Sequence, residues 1–149
     1  MLVNDIITAL EEYLDKPVIF TNQAAPKPPY PYIGVTETSA FIPAPGLPSV
    51  ENEHLPEDIN QIATSQPTKV LSITAYGLGI SETTELAQKA RDWFDFVGYR
   101  TLKEMGVIVA DLGATGNRDT LIVDDYERRR GFDVTLRFVH RQERLLEEI

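Results

Sequence analysis

The chain has no cysteine, two methionines and a single tryptophan in its 149 residues. Without cysteine there is no disulfide, no thiolate metal site and no thiol nucleophile, and the redox state of the compartment leaves no trace in the sequence. No apolar run approaches the ~18 residues that a membrane-spanning helix needs, so no membrane partner is expected. The opening stretch MLVNDIITALEEYL lacks a basic segment and carries acids, which reads as a helix and not as a signal peptide. Proline is missing from both ends, all ten lying between Pro17 and Pro67. Positive charge is scarce at the front: residues 1–66 hold nine acids against Lys16 and Lys27 alone. Residues 67–126 hold nine acids and six bases, and residues 127–149 hold five acids and six arginines, for a net charge of −9. A chain this acidic, whose one basic run is Arg128–Arg130, is not built to grip a nucleic-acid backbone. It suits a surface that sheds phosphate, or an acidic front that docks head-to-tail on the basic patch of a second copy.

What is present is clearest near the C-terminus. In Glu127–Val139, Phe132, Val134, Leu136 and Phe138 alternate with Asp133, Thr135 and Arg137, the period of a strand with one face in a core and one polar face. Upstream, Val3, Ile6, Ile7, Leu10, Tyr13 and Leu14 recur at helical spacing, and Pro17 ends that helix. Short strands are expected at Val18–Phe20, Tyr32–Thr38 and Thr68–Tyr76. A second helix is expected over 82–97, capped by Ser81 and carrying Leu86, Ala87, Ala90, Trp93, Phe94 and Val97 on one stripe. Gly98 closes it, and Tyr99–Met105 adds a turn or two of helix. Val107–Ala110 reads as a buried strand, Gly113–Asn117 as a turn, Thr120–Asp125 as a strand, and the tail RQERLLEEI as weakly helical. The order predicts an α+β fold, a mostly antiparallel sheet with two main helices packed on it. One domain over 1–149 is expected, with enough chain for a core.

Residues 39–66 break every pattern. They hold four prolines, four acids and no lysine or arginine. A connection this long inside a compact domain is functional or disordered. Phe41, Ile42, Leu47, Val50 and Leu55 are too many apolar residues for a loop that meets only water, so the stretch reads as a Pro-rich arm that orders against a partner.

Catalytic chemistry is hard to find. Gly113–Thr120 lacks the lysine of a phosphate loop, and no helix follows it. His54 and His140 have no ligand-spaced neighbour. Asp111, Asp124, Asp125, Glu127 and Asp133 offer the carboxylates of a magnesium-dependent hydrolase, without a lysine placed beside them. Arg128, Arg129 and Arg130 suit contacts to acids of an adjacent subunit, since a guanidinium pairs both carboxylate oxygens. Glu127, Asp133 and Arg137 share that strand and are expected to belong to the same interface.

Several segments together resemble the tail terminator, or neck, proteins of long-tailed bacteriophages, a group that includes tail completion and head–tail joining proteins. They are Tyr30-Pro31-Tyr32-Ile33, Ser72-Ile73-Thr74-Ala75-Tyr76-Gly77, the helix with Trp93, and Tyr126-Glu127-Arg128-Arg129 leading into Phe132-Asp133-Val134. The resemblance runs from residue 30 to 139. It implies a non-enzymatic virion protein without metal or cofactor, a subunit of a homohexameric ring. The ring would cap the tail tube, stop its growth and face the head connector, while genomic DNA passes through its lumen unbound. It also implies assembly in the host cytoplasm. A head-completion adaptor of the same neck, or a small metal-dependent hydrolase, are the alternatives.

Overall fold

The computed structural model describes residues 2–21, 26–122 and 125–147. Its elements run α1 (Leu2–Leu14), β1 (Val18–Phe20), β2 (Tyr32–Ile42), β3 (Ser49–His54), β4 (Asp58–Ser65), β5 (Thr68–Gly77), α2 (Ile80–Asp92), a π-helical turn (Trp93–Val97), α3 (Tyr99–Glu104), β6 (Val107–Leu112), β7 (Gly116–Asn117), β8 (Thr120–Ile122), β9 (Asp125–Phe138) and β10 (His140–Glu147). The expected α+β fold with a mostly antiparallel sheet is present.

The large sheet has the order β1-β2-β5-β9-β6, with β7 and β8 also paired to β9. Only β1 and β2 run parallel. The 14-residue β9 is its spine, paired on both sides. Its even positions lie where alternation puts them: Phe132, Val134 and Leu136 are buried, in cross-strand rows with Ile73, Leu71 and Lys69. Val3, Ile6, Leu10 and Leu14 of α1 and Leu86, Ala87 and Ala90 of α2 cover this face and complete the core with Trp93 and Phe94. The opposite face carries Tyr32, Tyr76 and Arg129 in one row and Thr36, Ser72 and Asp133 in another.

The chain leaves α1 through Asp15, whose φ of 53° reverses its direction before Pro17. Glu11 accepts the Val18 N–H at 3.2 Å and so ties the helix to β1. Three expectations need correction. Helix α2 starts at Ile80 behind Gly79, not behind Ser81; Thr83 Oγ1 donates back to the Gly79 carbonyl at 2.6 Å. Val97 is outside the apolar stripe and 51% exposed, because the π-helical turn adds a residue per turn and rotates everything after Phe94. Phe96 is carried out with it to 82% exposure. Strand β6 is an edge strand in which only Val107 is buried.

The largest correction concerns residues 39–66 and the tail. The stretch without a period holds the end of β2 and all of β3 and β4, and the tail expected to be helical is β10. These three strands form a second sheet, order β10-β4-β3. It continues the large sheet around a bend: Thr68 faces Arg137, and three residues on, past Pro67 and Val139, Ser65 faces His140. None of the residues in it whose burial is described is buried. At about 3.3 Å per residue its eight-residue ladder is roughly 26 Å long.

The π-helical turn has a packing consequence that can be tested. A Cβ built on Gly98 would lie 2.4 Å from the Trp93 ring, and Trp93 is 3% exposed. Gly98→Ala should therefore destabilise the chain by about 1–3 kcal/mol through overpacking, despite alanine's better helix propensity. Urea unfolding followed by Trp93 fluorescence measures it, and a neutral result would mean that the indole has room to move.

Candidate functional site

The alternation of β9 splits its arginines between two faces, and Arg128, Arg129 and Arg130 each find a carboxylate within the same chain. Arg128 and Arg130 point one way and converge on Asp119. Arg128 Nη1 donates to Asp119 Oδ2 at 3.1 Å, the Arg129 backbone N–H to Oδ1 at 2.8 Å, and Arg130 Nη1 makes a short contact to Oδ1. Burial alone would raise the Asp119 carboxyl, but these hydrogen bonds outweigh it and hold the group below the ordinary carboxylate range. Asn117 Oδ1 in turn accepts the Asp119 N–H at 2.8 Å and fixes the turn before β8.

Arg129 points the other way, onto the open face. Its Nε donates to Glu127 Oε1 at 2.6 Å and its guanidinium lies 5.0 Å from the Tyr76 ring centre. Glu127 is 1% exposed. Its Oε2 accepts from Lys27 Nζ at 2.7 Å and from the Tyr30 hydroxyl in a short contact. Desolvation opposes the charged carboxylate here too, yet Lys27, Tyr30 and Arg129 together pull its pKa down. Lys27 responds reciprocally: partial burial would lower it, but Glu127 and Tyr30 hold it above the usual lysine range. Tyr30, Tyr32 and Tyr76 stack in series, with centroids 5.8 and 4.8 Å apart. Burial first, then the Glu127 charge, pushes the Tyr32 hydroxyl up to about 12, with Lys27 opposing. This cluster, beside a cleft of about 250 Å³, staples the Pro-rich segment 26–31 to the spine of the sheet.

A third arginine that the sequence reading passed over holds the middle of the open face. Arg118 reaches across β9 to Ser72 Oγ at 2.7 Å, Thr74 Oγ1 at 2.9 Å and Asp133 Oδ1 at 3.3 Å. It passes over Gly131, where a Cβ would meet Arg118 Nη1 and the Ile73 carbonyl at 2.7 Å. Arg137, at the arm end of this face, is exposed and makes no ion pair among the described residues.

Arg128, Arg129, Arg130 and Asp133, chosen for contacts between subunits, thus already have partners in their own chain, and Glu127 is enclosed by its partners. Of the acids considered for a metal site, Glu127 and Asp133 lie six residues apart on one strand, about 20 Å, each beside an arginine. Among the described residues no group of three His, Asp or Glu converges; Asp124 lies outside the described residues.

The apolar residues of the arm are different, because their side chains are left exposed. Phe41 packs edge-on against Phe138 and His140, with ring centres 6.0 and 5.1 Å apart, and is still half exposed. Ile42, Val50 and Leu55 are exposed, and Leu47 is 97% exposed. Two adjoining clefts of about 380 and 350 Å³ lie where Leu47 and Pro48 approach Val50, Ala63 and Gln142.

The register gives the small sheet two unlike faces. One presents Val50, His54, Ile59, Ala63, Gln142 and Leu146, with Arg144 its one arginine. The other presents Glu51, Glu53, Asp58 and Glu143, with Arg141 paired to Glu143 at 2.9 Å.

The structure is thus a sheet covered by helices on one face, extended by a three-stranded ribbon whose described residues are all at least partly exposed. The chain matches the model of a family described as phage neck terminator protein over residues 4–149. It belongs to that family, as its tyrosine, tryptophan and arginine segments suggested, and has a structural role in the tail and neck of the virion. Among curated proteins nothing matches it.

Proposed function

We propose that copies of this chain form a closed ring on the end of the phage tail tube, which ends tube growth and provides the surface that joins the head connector. Assembly takes place in the host cytoplasm, and the genome later crosses the ring without being held. The observation that carries this reading is the small sheet: among the described residues no helix or further sheet covers β3, β4 and β10, none of whose described residues is buried, and a three-stranded sheet in that condition gains stability when something covers it. In a neck terminator the available covers are a second copy, the tube protein and the connector protein. Because Arg128, Arg129 and Arg130 are satisfied internally, the arm residues Phe41, Ile42, Leu47, Val50 and Leu55, together with Arg137, are the part of the expected interface that is free to serve it. The acidic face suits passage of DNA, since carboxylates offer phosphate nothing to bind.

Electron microscopy of particles from a strain lacking the gene tests the reading. Filled heads beside separate tails, some overlong, are expected. Tails of normal length that fail to join heads would move the protein to a head–tail adaptor role, and intact infectious virions would remove the structural role altogether.

A further inference from the structure

We propose that the small sheets of successive copies join edge to edge, β3 of one copy pairing in parallel with β10 of the next, and close into a β-barrel with the acidic face inward. The inference rests on the ring proposed above and adds to it which strands form the seam and which face lines the channel.

The topology supplies the first reason. In the order β10-β4-β3, both β10 and β3 run antiparallel to β4 and hence parallel to each other. Each is an open edge among the described residues. Rotation about one axis brings β3 of one copy beside β10 of the next with the same direction, and closing the ring removes both edges from every copy. A single strand from another protein would cover only one of them.

The side chains supply the second. Strand β3 carries Glu51 and Glu53 and no lysine or arginine, whereas β10 carries Arg141 and Arg144 alongside Glu143 and Glu147. On the acidic face, Arg141 of one copy comes within reach of Glu51 and Glu53 of another, a pairing that no single chain offers because β4 lies between them. The direction of curvature follows from the loop at 43–48, where Leu47 and Pro48 stand against the neutral face beside Val50 and Ala63. That face has the 43–48 loop beside it and belongs outside, which leaves the acidic face to the channel.

Dimensions agree with a channel. Eighteen strands from six copies, about 4.8 Å apart and tilted by about 40°, close on a backbone diameter of roughly 36 Å, whereas twelve strands from four copies give roughly 24 Å. Inward side chains take about 5 Å on each side, which leaves roughly 26 and 14 Å. The two groove depths of B-DNA alone sum to about 16 Å, so four copies exclude a duplex and six admit it.

The absence of cysteine makes the test clean. Asn52→Cys is combined in turn with His140→Cys, Gln142→Cys, Arg144→Cys and Leu146→Cys, all on the neutral face, and particles assembled in infected cells are oxidised and run without reductant. Within one chain Asn52 and Arg144 flank Gln61 at two strand spacings, about 10 Å, beyond disulfide reach. At one of the four registers most of the chain should move from the monomer band into a ladder of multimers that collapses on reduction, and its highest rung counts the copies. Rings visible in the particles without a cross-link at any register would overturn the seam while leaving the ring standing. Particles that contain the protein without a ring would overturn both.

Discussion

Phe132→Ala should lower the stability of the chain by about 4 kcal/mol, with the melting temperature falling by roughly 12 °C. Phe132 is 0% exposed at the centre of β9, facing Ile73 across the ladder and meeting the Phe94 ring edge-on at 6.1 Å. Truncation removes the six ring carbons from a site whose walls come from both β5 and the helix layer, and a cavity walled by two layers cannot collapse by moving one side chain. The loss is a large fraction of the 5–15 kcal/mol that a domain has in total. Phe41→Ala is the control of equal chemistry: its ring is half exposed, and its removal should cost the isolated chain much less. Thermal unfolding followed by circular dichroism separates them. A Phe132→Ala protein within about 1 kcal/mol of the parent would show that β9 is not the centre of the core.

What made Phe132 legible from sequence also explains why the arm was not. A strand shows its period only where its two faces meet different surroundings. β9 has helices on one side and an open polar face on the other, so apolar and polar residues alternate. β3 and β4 have no core on either side; β3 alternates between neutral and acidic residues and β4 is neutral after Asp58, patterns that a search for apolar periodicity misses. Gln61 and Ala63 sit where β9 has leucine and valine. β10 misled for a second reason: Arg141, Glu143 and Arg144 with Leu145 and Leu146 favour helix locally, and only pairing with β4, some eighty residues upstream, overrides that preference. Val97 was misplaced because a π-helical turn changes the period within one helix, and nothing in WFDFV announces it beyond the Gly98 that must lie under Trp93.

The arginines were partly legible. Period 2 already places Glu127 and Arg129 on one face of the strand and Arg128 and Arg130 on the other. That excludes a single arginine patch and points to two separate ion pairs. The partner of the second pair, Asp119, lies in the preceding turn, where an acid between Asn117 and Thr120 reads as turn chemistry. The third arginine, Arg118, gave no signal: its role depends on Gly131 leaving room for a guanidinium above the sheet.

Glu127→Gln should be the most damaging single change on the open face, costing about 3 kcal/mol near neutral pH. The figure is at the low end for breaking a buried ion pair because Lys27 and Arg129 are themselves about half and one third exposed, so water screens part of what they lose. Glutamine keeps the shape and an acceptor for Tyr30 but not the charge that Lys27 and Arg129 surround. The pH dependence distinguishes this electrostatic loss from simple repacking. Glu127 is held below its unfolded value, so its contribution is fully present above about pH 4.3, the ordinary glutamate pKa, and disappears as the pH falls through the lower folded value. Unfolding free energies of parent and variant should therefore differ most at pH 6–7 and converge in acid, where the parent also carries an uncharged side chain. A difference that stays constant down to pH 3 would assign the effect to packing. Because the cluster ties segment 26–31 to β9, loss of the charge should also speed amide exchange at Tyr32 and Tyr76 while leaving Phe132 protected, which places the cluster's role in closing one end of the open face and not in holding the core.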